Sequence, residues 1–289
     1  MSPKMLDFTV MGLTMLSRFL PVASFLLSGI AFAETEQVAA NSTVQPLNVT
    51  NAYGVSGAVL WLAADSGVSI DEHSHVTSLT DRTGNFTLTS TSGPLYMPQG
   101  LNGRPVFRLN GSQSLYSPDN FGDALDRDMT FITLTLTNTA SDDDSQEFSL
   151  YLGQNSNKGA NRAMGTLDGH DLFDGQFTYY LSLPIVRDAY VVTAAAYNPA
   201  AGKTSFYRNG KLVTTASLGE KSSAAFGPVS DGITFGAATD PCCGWHGYIA
   251  EELVFNRQLS PQEIQMVWTA LATKYALPTG NKPAASASR

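Results

Sequence analysis

Residues 129–138 read MTFITLTLTN, and this stretch decides the class of fold. Two kinds of side chain alternate along it. The first set is Phe131, Thr133, Thr135 and Thr137, and the second set is Ile132, Leu134 and Leu136. Successive side chains of a strand point to opposite faces, so the aliphatic set shares one face. The pattern predicts a half-buried strand, with one face on the core and the other toward solvent or a ligand.

Short runs of the same kind recur on both sides of this stretch. They are rich in β-branched and aromatic residues and are separated by Gly, Asn, Asp and Pro. The predicted strands span residues 55–62, 85–90, 105–109, 129–138, 147–152, 176–181, 190–197, 204–207, 211–216, 233–236 and 248–255. Between two of them stands Asn209-Gly210, the residue pair that best tolerates the positive φ of a two-residue hairpin turn.

One helix is predicted, near the C-terminus. Residues 260–263 read SPQE, a capping box with Pro at the first helical position. Apolar residues then repeat at helical spacing, namely Ile264, Val267, Trp268, Leu271 and Tyr275. The chain shows no internal period of roughly 20 to 50 residues, which disfavours a propeller or a solenoid. The sequence predicts an all-β fold, a single antiparallel sandwich with one C-terminal helix.

The N-terminus has the pattern of a signal peptide over residues 1–33. Arg18 precedes an apolar run over residues 19–30, and Ala31-Phe32-Ala33 offers signal peptidase a cleavage site after Ala33. Translation could start at Met1 or at Met15. A membrane anchor is the rival interpretation, but the run is shorter than the roughly 20 residues of a spanning helix. We expect a secreted protein, extracellular or periplasmic, whose mature chain has no membrane span.

Composition and charge limit the remaining possibilities. Residues 34–54 and 278–289 are small, polar and aperiodic, which predicts a flexible linker and a flexible tail around a sandwich over residues 55–277. Hydrophobic residues make up 43% of the chain and charged residues 15%, which excludes a disordered chain or a coiled coil. The net charge is −8 and no basic stripe exists, so nucleic acid is not an expected partner.

Several stretches in a fixed order carry a resemblance to a known family. They are LWLAAD (60–65), DRTGN (81–85), NGRPVFRLNG (102–111), FYRNGK (206–211), GYIAEELVF (247–255) and the helix that ends in KYAL (274–277). This order resembles secreted laminin-G-like, or concanavalin A-like lectin/glucanase, domains of bacterial extracellular proteins. The resemblance implies a two-sheet antiparallel jelly-roll sandwich that binds glycans or mediates adhesion, sometimes with calcium. It implies no conserved catalytic set.

The only two cysteines of the chain, Cys242 and Cys243, are adjacent. Neighbouring Cα atoms are about 3.8 Å apart, below the roughly 4.4 Å of ordinary disulfides, so a bridge between them would be strained. A vicinal disulfide, an intermolecular bridge and two free thiols remain open, and an oxidising compartment argues against the last. Trp245 and His246 follow in what we expect to be a rigid exposed loop, where a disulfide beside an indole could support a sugar ring. A locked turn before the last strand is the alternative.

A second candidate site spans residues 168–174, which read DGHDLFD. Asp168, Asp171 and Asp174 supply the oxygen ligands that calcium prefers, and the setting looks like a loop. A solvated acidic loop is the alternative. His170 and Tyr179 are candidate ligand-binding residues, and they would also be parts of a lyase site if one exists.

No catalytic motif is recognisable in the sequence. A retaining glycosidase needs two carboxylates roughly 5 Å apart, whereas the adjacent Glu251 and Glu252 point to opposite faces of a strand. We expect a lectin-like or adhesion domain without catalytic activity, whose partner is a polysaccharide or other glycan. The alternatives are a polysaccharide-active enzyme, hydrolase or lyase, on the same sandwich, and a module that binds a cell-surface protein.

Overall fold

The computed structural model describes residues 47–138, 146–153, 161–175, 179–217, 232–238 and 243–279, which lie in one compact unit. Two antiparallel sheets face each other, and one α-helix within the described ranges covers part of the first sheet. Two short 3-10 helices, at Asp123–Leu125 and Pro199–Ala201, lie in the connections between strands. The predicted all-β jelly-roll sandwich with one C-terminal helix is confirmed. Within the described residues, no helix is long and apolar enough to cross a membrane.

Among the described residues, the first sheet contains nine strands, numbered in chain order across both sheets. They are β1 (Thr50–Ala52), β2 (Val55–Ala63), β6 (Leu95–Leu101), β7 (Arg104–Asn110), β9 (Met129–Thr137), β14 (Val191–Asn198), β15 (Lys203–Arg208), β16 (Lys211–Ser217) and β18 (His246–Phe255). The spatial order is β1-β2-β18-β9-β14-β15-β16, and β7 joins β18 to β6.

The second sheet also contains nine strands in the part of the chain that the structure describes. They are β3 (Val68–Ile70), β4 (Val76–Thr80), β5 (Thr87–Thr89), β8 (Leu115–Ser117), β10 (Glu147–Leu152), β11 (Arg162–Leu167), β12 (His170–Gly175), β13 (Tyr179–Pro184) and β17 (Ile233–Phe235). Their spatial order is β13-β12-β11-β10-β17-β8-β5-β4-β3.

Strand β9 is buried on both faces. Phe131 belongs to the core between the sheets, whereas Ile132, Leu134 and Leu136 belong to a second core that also contains the buried residues of the helix. Every residue of β9 is buried, including its threonines. The expectation that one face meets solvent is therefore wrong, because the helix side and the opposite sheet cover one face each.

The helix α1 (Pro261–Lys274) begins as the sequence predicts. The Ser260 hydroxyl accepts a hydrogen bond from the backbone N–H of Glu263, and the Glu263 carboxylate accepts one from the backbone N–H of Ser260 at 2.8 Å. Hydrogen bonds from Arg257 and then from Ser260 lower the pKa of Glu263 to about 2. The predicted apolar stripe from Ile264 to Tyr275 is buried against the first sheet.

The hairpin between β15 and β16 turns at Asn209-Gly210, as predicted. Both residues have positive φ, 50° for Asn209 and 76° for Gly210. A Cβ atom at Gly210 would lie 2.6 Å from Cδ1 of Trp268 and 2.5 Å from Oε1 of Gln265. Glycine is required here both by the turn and by its close approach to α1.

The carboxylate of Asp81 organises the DRTGN turn and links the two sheets. It accepts hydrogen bonds from the backbone N–H groups of Trp61 (3.0 Å), Thr83 (2.9 Å), Asn85 (2.8 Å) and Phe86 (3.0 Å). The hydroxyl of Thr83 donates a further bond at 2.8 Å. Asp81 is only 2% exposed, and it satisfies the backbone N–H groups of Thr83 and Phe86, which would otherwise be buried without partners.

The carboxylate of Glu251 links β18 to the helix. It accepts hydrogen bonds from the hydroxyls of Tyr53 (2.6 Å) and Tyr275 (3.0 Å) and from the indole N–H of Trp61 (2.7 Å). The ammonium of Lys274 lies 2.5 Å from it. The LWLAAD and KYAL stretches therefore meet at one buried carboxylate.

Two boundaries differ from the sequence-based expectations. The predicted linker reaches residue 54, but residues 50–52 form β1, which pairs with β2 and extends the first sheet. The supposed loop at residues 168–174 is mostly strand, since His170–Gly175 is β12. The apolar alternation in residues 168–174 is short, and the segment is rich in Asp, a residue that is rare in strands. The pattern therefore resembled a loop. Residues 1–46 and 280–289, with the predicted signal peptide, lie outside the described residues.

Candidate functional site

A polar row crosses the inner face of the first sheet. The strand register places Glu252 of β18 beside Thr133 of β9, Thr133 beside Thr193 of β14, and Thr193 beside Arg208 of β15. We call these four residues the inner row. They share the face of Phe131, which packs in the core between the sheets. Polar side chains thus replace apolar ones in this half of the interior.

A β-bulge in β18 puts Glu252 into the inner row. The register of β18 against β9 shifts between Ile249 and Glu251. As a result both Ile249 and Glu252 face the second sheet, while Glu251 faces the helix, where it contacts Lys274. The expectation that Glu251 and Glu252 point to opposite faces is confirmed.

The second sheet contributes a carboxylate to the inner row. Nη2 of Arg208 donates to Oδ2 of Asp171 on β12 at 2.6 Å and to the carbonyl of Pro184 at 2.9 Å. The side chains of Arg208 and Asp171 are only 17% and 13% exposed. Burial raises the pKa of the Asp171 carboxyl, and the Arg208 guanidinium offsets part of that effect. This ion pair holds Arg208 in one position between the sheets.

Glu252 is the most deeply buried acid of the row. The hydroxyl of Thr133 donates a hydrogen bond to Oε1 of Glu252 at 2.8 Å. Burial raises the pKa of Glu252 to about 8, although hydrogen bonds from Thr133 and Ser149 act in the opposite direction. The carboxyl is therefore mostly protonated at neutral pH, and an uncompensated buried charge is avoided.

The cavity beside the inner row is small. Its volume is about 20 Å³, and its lining includes Thr133, Thr135, Thr193, Asp171 and Arg208. A buried water needs roughly 10–15 Å³ of such volume, so the cavity has room for about one water and not for a sugar ring. The cavity beside the inner row is therefore too small for a sugar, and Arg208 is held there by Asp171 and Pro184.

A larger groove lies between the β15–β16 hairpin and α1, and Arg208 reaches it as well. Its volume is about 560 Å³. We call it the hairpin–helix groove. Its lining mixes polar and apolar residues. The polar ones are Arg208, Asn209, Lys211, Gln265, Thr269, Thr273 and Thr279, and the apolar ones include Val186, Val213 and Trp268. Ligand sites typically combine such an apolar lining with a few polar groups in a volume of roughly 300–1,000 Å³.

The helix side of the groove is a polar stripe with fixed hydroxyls. Gln265, Thr269 and Thr273 follow each other at four-residue spacing and therefore lie along one face of α1. The hydroxyl of Thr269 donates to the carbonyl of Gln265, and that of Thr273 to the carbonyl of Thr269, each at 2.8 Å. Each hydroxyl oxygen is thus held in place with acceptor capacity left for a ligand.

A second groove of about 680 Å³ lies on the other side of α1. Tyr53, Arg104, Met266 and Lys274 line it, and the polar stripe of the helix borders it too. Met266 is 49% exposed there. Of the two grooves, only the hairpin–helix groove is lined by the hairpin residues Arg208 and Lys211.

The first predicted site, around Trp245, is more buried in the structure than the sequence led us to expect. Trp245 is 3% exposed and packs in the core between the sheets, so the expected exposed indole is wrong. Its backbone is tied down by hydrogen bonds with Gly236 and Gly111, which draw the segment inward. Cys243 has a positive φ of 65°, but Cys242 lies outside the described residues, and their disulfide stays a prediction.

His246 is held by a buried acid. Its Nδ1 lies 2.9 Å from Oε1 of Glu147, and its backbone N–H donates to Oε2 of Glu147 at 3.0 Å. The His246 side chain is about 40% exposed, whereas Glu147 is buried. The structure thus separates His246, which reaches the surface, from its neighbour Trp245, which does not.

The acidic segment does not converge on one point. Asp168 lies in the β11–β12 turn, where its carbonyl contacts Nδ1 of His170 at 2.7 Å. Asp171 and Asp174 are three residues apart on β12 and point to opposite faces, Asp171 toward Arg208 and Asp174 toward Asn161. No group of three or more potential metal ligands occurs among the described His, Cys, Asp and Glu residues. The calcium site stays a prediction.

Tyr179 begins β13, opposite Asp174 of β12. Its side chain lies outside the described part of the structure, so its predicted role in ligand binding stays a prediction. Sequence reasoning missed Arg208 and Lys211, although both flank the turn it identified. The signal that could have found them is the pair of like charges facing each other across a two-residue hairpin.

Comparisons with known proteins agree with this architecture. Residues 128–265 match the family model described as the concanavalin A-like lectin/glucanases superfamily. Among curated proteins, no match to the sequence was found.

Solved structures with a similar fold include a sialidase and two toxin domains. The Trypanosoma rangeli sialidase in complex with the inhibitor DANA gives a TM-score of 0.52 at 10% identity, over 78% of this chain and 36% of that one. The botulinum neurotoxin serotype D binding domain gives 0.53 at 14% identity, over 74% and 51%. The botulinum neurotoxin DC binding domain in complex with rat synaptotagmin II gives 0.50 at 14% identity, over 74% and 52%.

At these identities the likeness shows a shared fold alone, and the chain spans about a third to a half of the length of these structures. The family model and the sandwich architecture together confirm the resemblance of this chain to the concanavalin A-like lectin/glucanases superfamily.

Proposed function

We propose that the chain is a glycan-binding module and that its ligand lies in the hairpin–helix groove. The observation that carries this proposal is the groove itself, about 560 Å³ in volume, whose lining mixes amide, hydroxyl and cationic side chains with apolar ones. A sugar ring presents hydroxyls at its rim and C–H groups on its faces, and such a mixed lining complements both.

Four polar groups of the lining are held in place by hydrogen bonds before any ligand arrives. Asn209 is held by a hydrogen bond from the backbone N–H of Val192 to its Oδ1 at 3.0 Å, and Arg208 by Asp171 and Pro184. The hydroxyls of Thr269 and Thr273 are bonded to the helix backbone. Because these groups are already ordered, binding costs less side-chain entropy than on a flexible surface.

The comparisons are consistent with the same class of function. The similar folds include a protein named as a sialidase and domains named as binding domains of neurotoxins. The sequence adds the expectation of export, and we propose that the mature chain begins at Glu34 and acts outside the cell or in the periplasm. Mass measurement of the exported protein tests that start directly.

The experiment is a glycan array with the full chain, expressed through an oxidising export route. Thr269→Trp places a bulky ring where both grooves border the helix, and Met266→Trp places the same ring in the second groove only. Both positions are exposed on α1, so both variants should fold. We expect Thr269→Trp to abolish glycan binding and Met266→Trp to leave it intact.

Other outcomes redirect the proposal. Loss of binding in both variants would indicate that the ligand lies in the second groove. Retention of binding in both would indicate that the ligand does not contact α1. Binding that chelator abolishes would support the calcium prediction at Asp168, Asp171 and Asp174. Release of sugar fragments would indicate an enzyme. Absence of binding on every glycan would refute the proposal and favour a protein partner.

A further inference from the structure

We infer that the hairpin–helix groove selects acidic glycans and that Lys211 contacts their anionic groups. This inference rests on the proposed function, since it concerns the same groove. It adds the chemical class of the ligand, a sugar polymer that carries carboxylate or sulfate groups.

The charge of the groove is opposite to that of the protein. The chain has a net charge of −8, yet the residues that line this groove include two cations, Arg208 and Lys211, and no Asp or Glu within the described part of the chain. Asp171, the partner of Arg208, lines the small interior cavity and not the groove. A neutral ligand would not require this local excess of positive charge.

Of the two cations, only Arg208 has a partner anion among the described residues. Arg208 and Lys211 are directly opposite each other in the β15–β16 register. Like charges at such positions destabilise an antiparallel pair. Asp171 neutralises Arg208, but Lys211 is exposed and takes part in none of the ion pairs formed between described residues. A ligand anion in the groove would supply the missing countercharge.

The two cations are suited to different parts of the recognition. Arg208 is fixed between Asp171 and Pro184, and it therefore serves as a rigid wall of the groove. Lys211 ends in a flexible ammonium, a point charge that can follow carboxylate or sulfate groups of different geometry. The adjacent polar stripe, Gln265 and Thr269, can bond to sugar hydroxyls next to the anionic group.

The test uses three polysaccharide probes and two matched variants. Polygalacturonate carries carboxylates, dextran sulfate carries sulfates, and dextran is neutral. Lys211→Gln removes the proposed contact. Lys203→Gln removes an exposed lysine at the first residue of β15, far along that strand from the hairpin turn, and Lys203 does not line the groove. Both variants keep a long polar side chain on a strand, and thermal unfolding checks that both remain folded.

We expect the protein to bind at least one acidic probe and to bind dextran weakly or not at all. Lys211→Gln should weaken acidic binding about fivefold, the effect of one partly exposed ion pair of about 1 kcal/mol, while Lys203→Gln leaves it unchanged. Raising the salt concentration from about 0.1 M to about 1 M should also weaken it, because the Debye length falls to about 3 Å.

The outcomes separate this inference from the proposed function. Which acidic probe binds decides between carboxylate and sulfate recognition, and either supports the inference. Binding of dextran as tight as that of the acidic probes, lost in Thr269→Trp, would overturn the inference and leave glycan binding intact. Acidic binding that is equally strong in Lys211→Gln would also overturn it. No binding of any glycan would refute both.

Discussion

Replacing Glu252 by Gln should stabilise the protein at alkaline pH and leave its stability at acidic pH nearly unchanged. Glu252 is completely buried between the sheets and its carboxyl is protonated at neutral pH. In the unfolded chain the same carboxyl ionises near its ordinary pKa of 4.5. A glutamine has the same shape as the protonated acid, accepts the same bond from Thr133 and never ionises.

The size of the effect follows from the two pKa values. Because the folded pKa is raised, the contribution of Glu252 to stability is fully present below pH 4.5 and is lost as the pH rises toward about 8. The interval spans about 3.5 pH units, and each unit corresponds to about 1.4 kcal/mol, so the complete loss approaches about 5 kcal/mol. Above pH 8 both states are ionised, and the difference between variant and wild type becomes constant.

The assay is urea unfolding of wild type and Glu252→Gln at intervals from pH 4.5 to pH 9. The difference between their free energies of unfolding should grow in favour of the variant with a slope of up to about 1.4 kcal/mol per pH unit. Glu251→Gln is the matched control, since it removes a carboxylate that binds Lys274 on the other face of β18, and it should destabilise. A Glu252→Gln difference that does not change with pH would refute the reasoning.

Two further predictions concern the turns. Asp81→Ala leaves four backbone N–H groups, two of them buried and two half-buried, without their acceptor. It should lower the free energy of unfolding by about 3–5 kcal/mol in urea titrations, and a loss below about 1 kcal/mol would contradict the role of Asp81. Gly210→Ala adds a Cβ 2.6 Å from Trp268 at positive φ and should cost about 2–4 kcal/mol. Gly103→Ala, with a similar φ of 77° and no atom within 4 Å of the new Cβ, should cost only about 1 kcal/mol, and equal losses would exclude the steric explanation.

The local parts of the fold were predictable because their signals lie within a few residues. The Asn209-Gly210 turn and the capping box at Ser260 are determined by neighbouring groups, and the structure confirms both. The alternation around Phe131 likewise predicted a strand with the correct start at Met129. It could not show that both faces are buried, because the covering elements come from distant parts of the chain.

The site depends on contacts that have no local signature. Asp171 and Arg208 are 37 residues apart and meet only because their strands belong to facing sheets. Trp245 looked like a surface residue because no periodic pattern surrounds it. Its burial results from backbone pairing with Gly111 and Gly236, which single-sequence patterns do not reveal.

The position of β18 in the sheet determines the order in which the sandwich can be completed. This strand pairs with β9 on one side and with both β2 and β7 on the other, yet it lies at residues 246–255, long after all three partners in the sequence. The centre of the first sheet therefore stays unfilled until synthesis has passed residue 255. The pairing of β18 with β2 joins residues some 190 positions apart, and such distant contacts make folding slow. Until β18 arrives, the edges of β2 and β9 are exposed. A chain truncated before residue 246 would lack the strand that joins its two halves, and we expect it to aggregate.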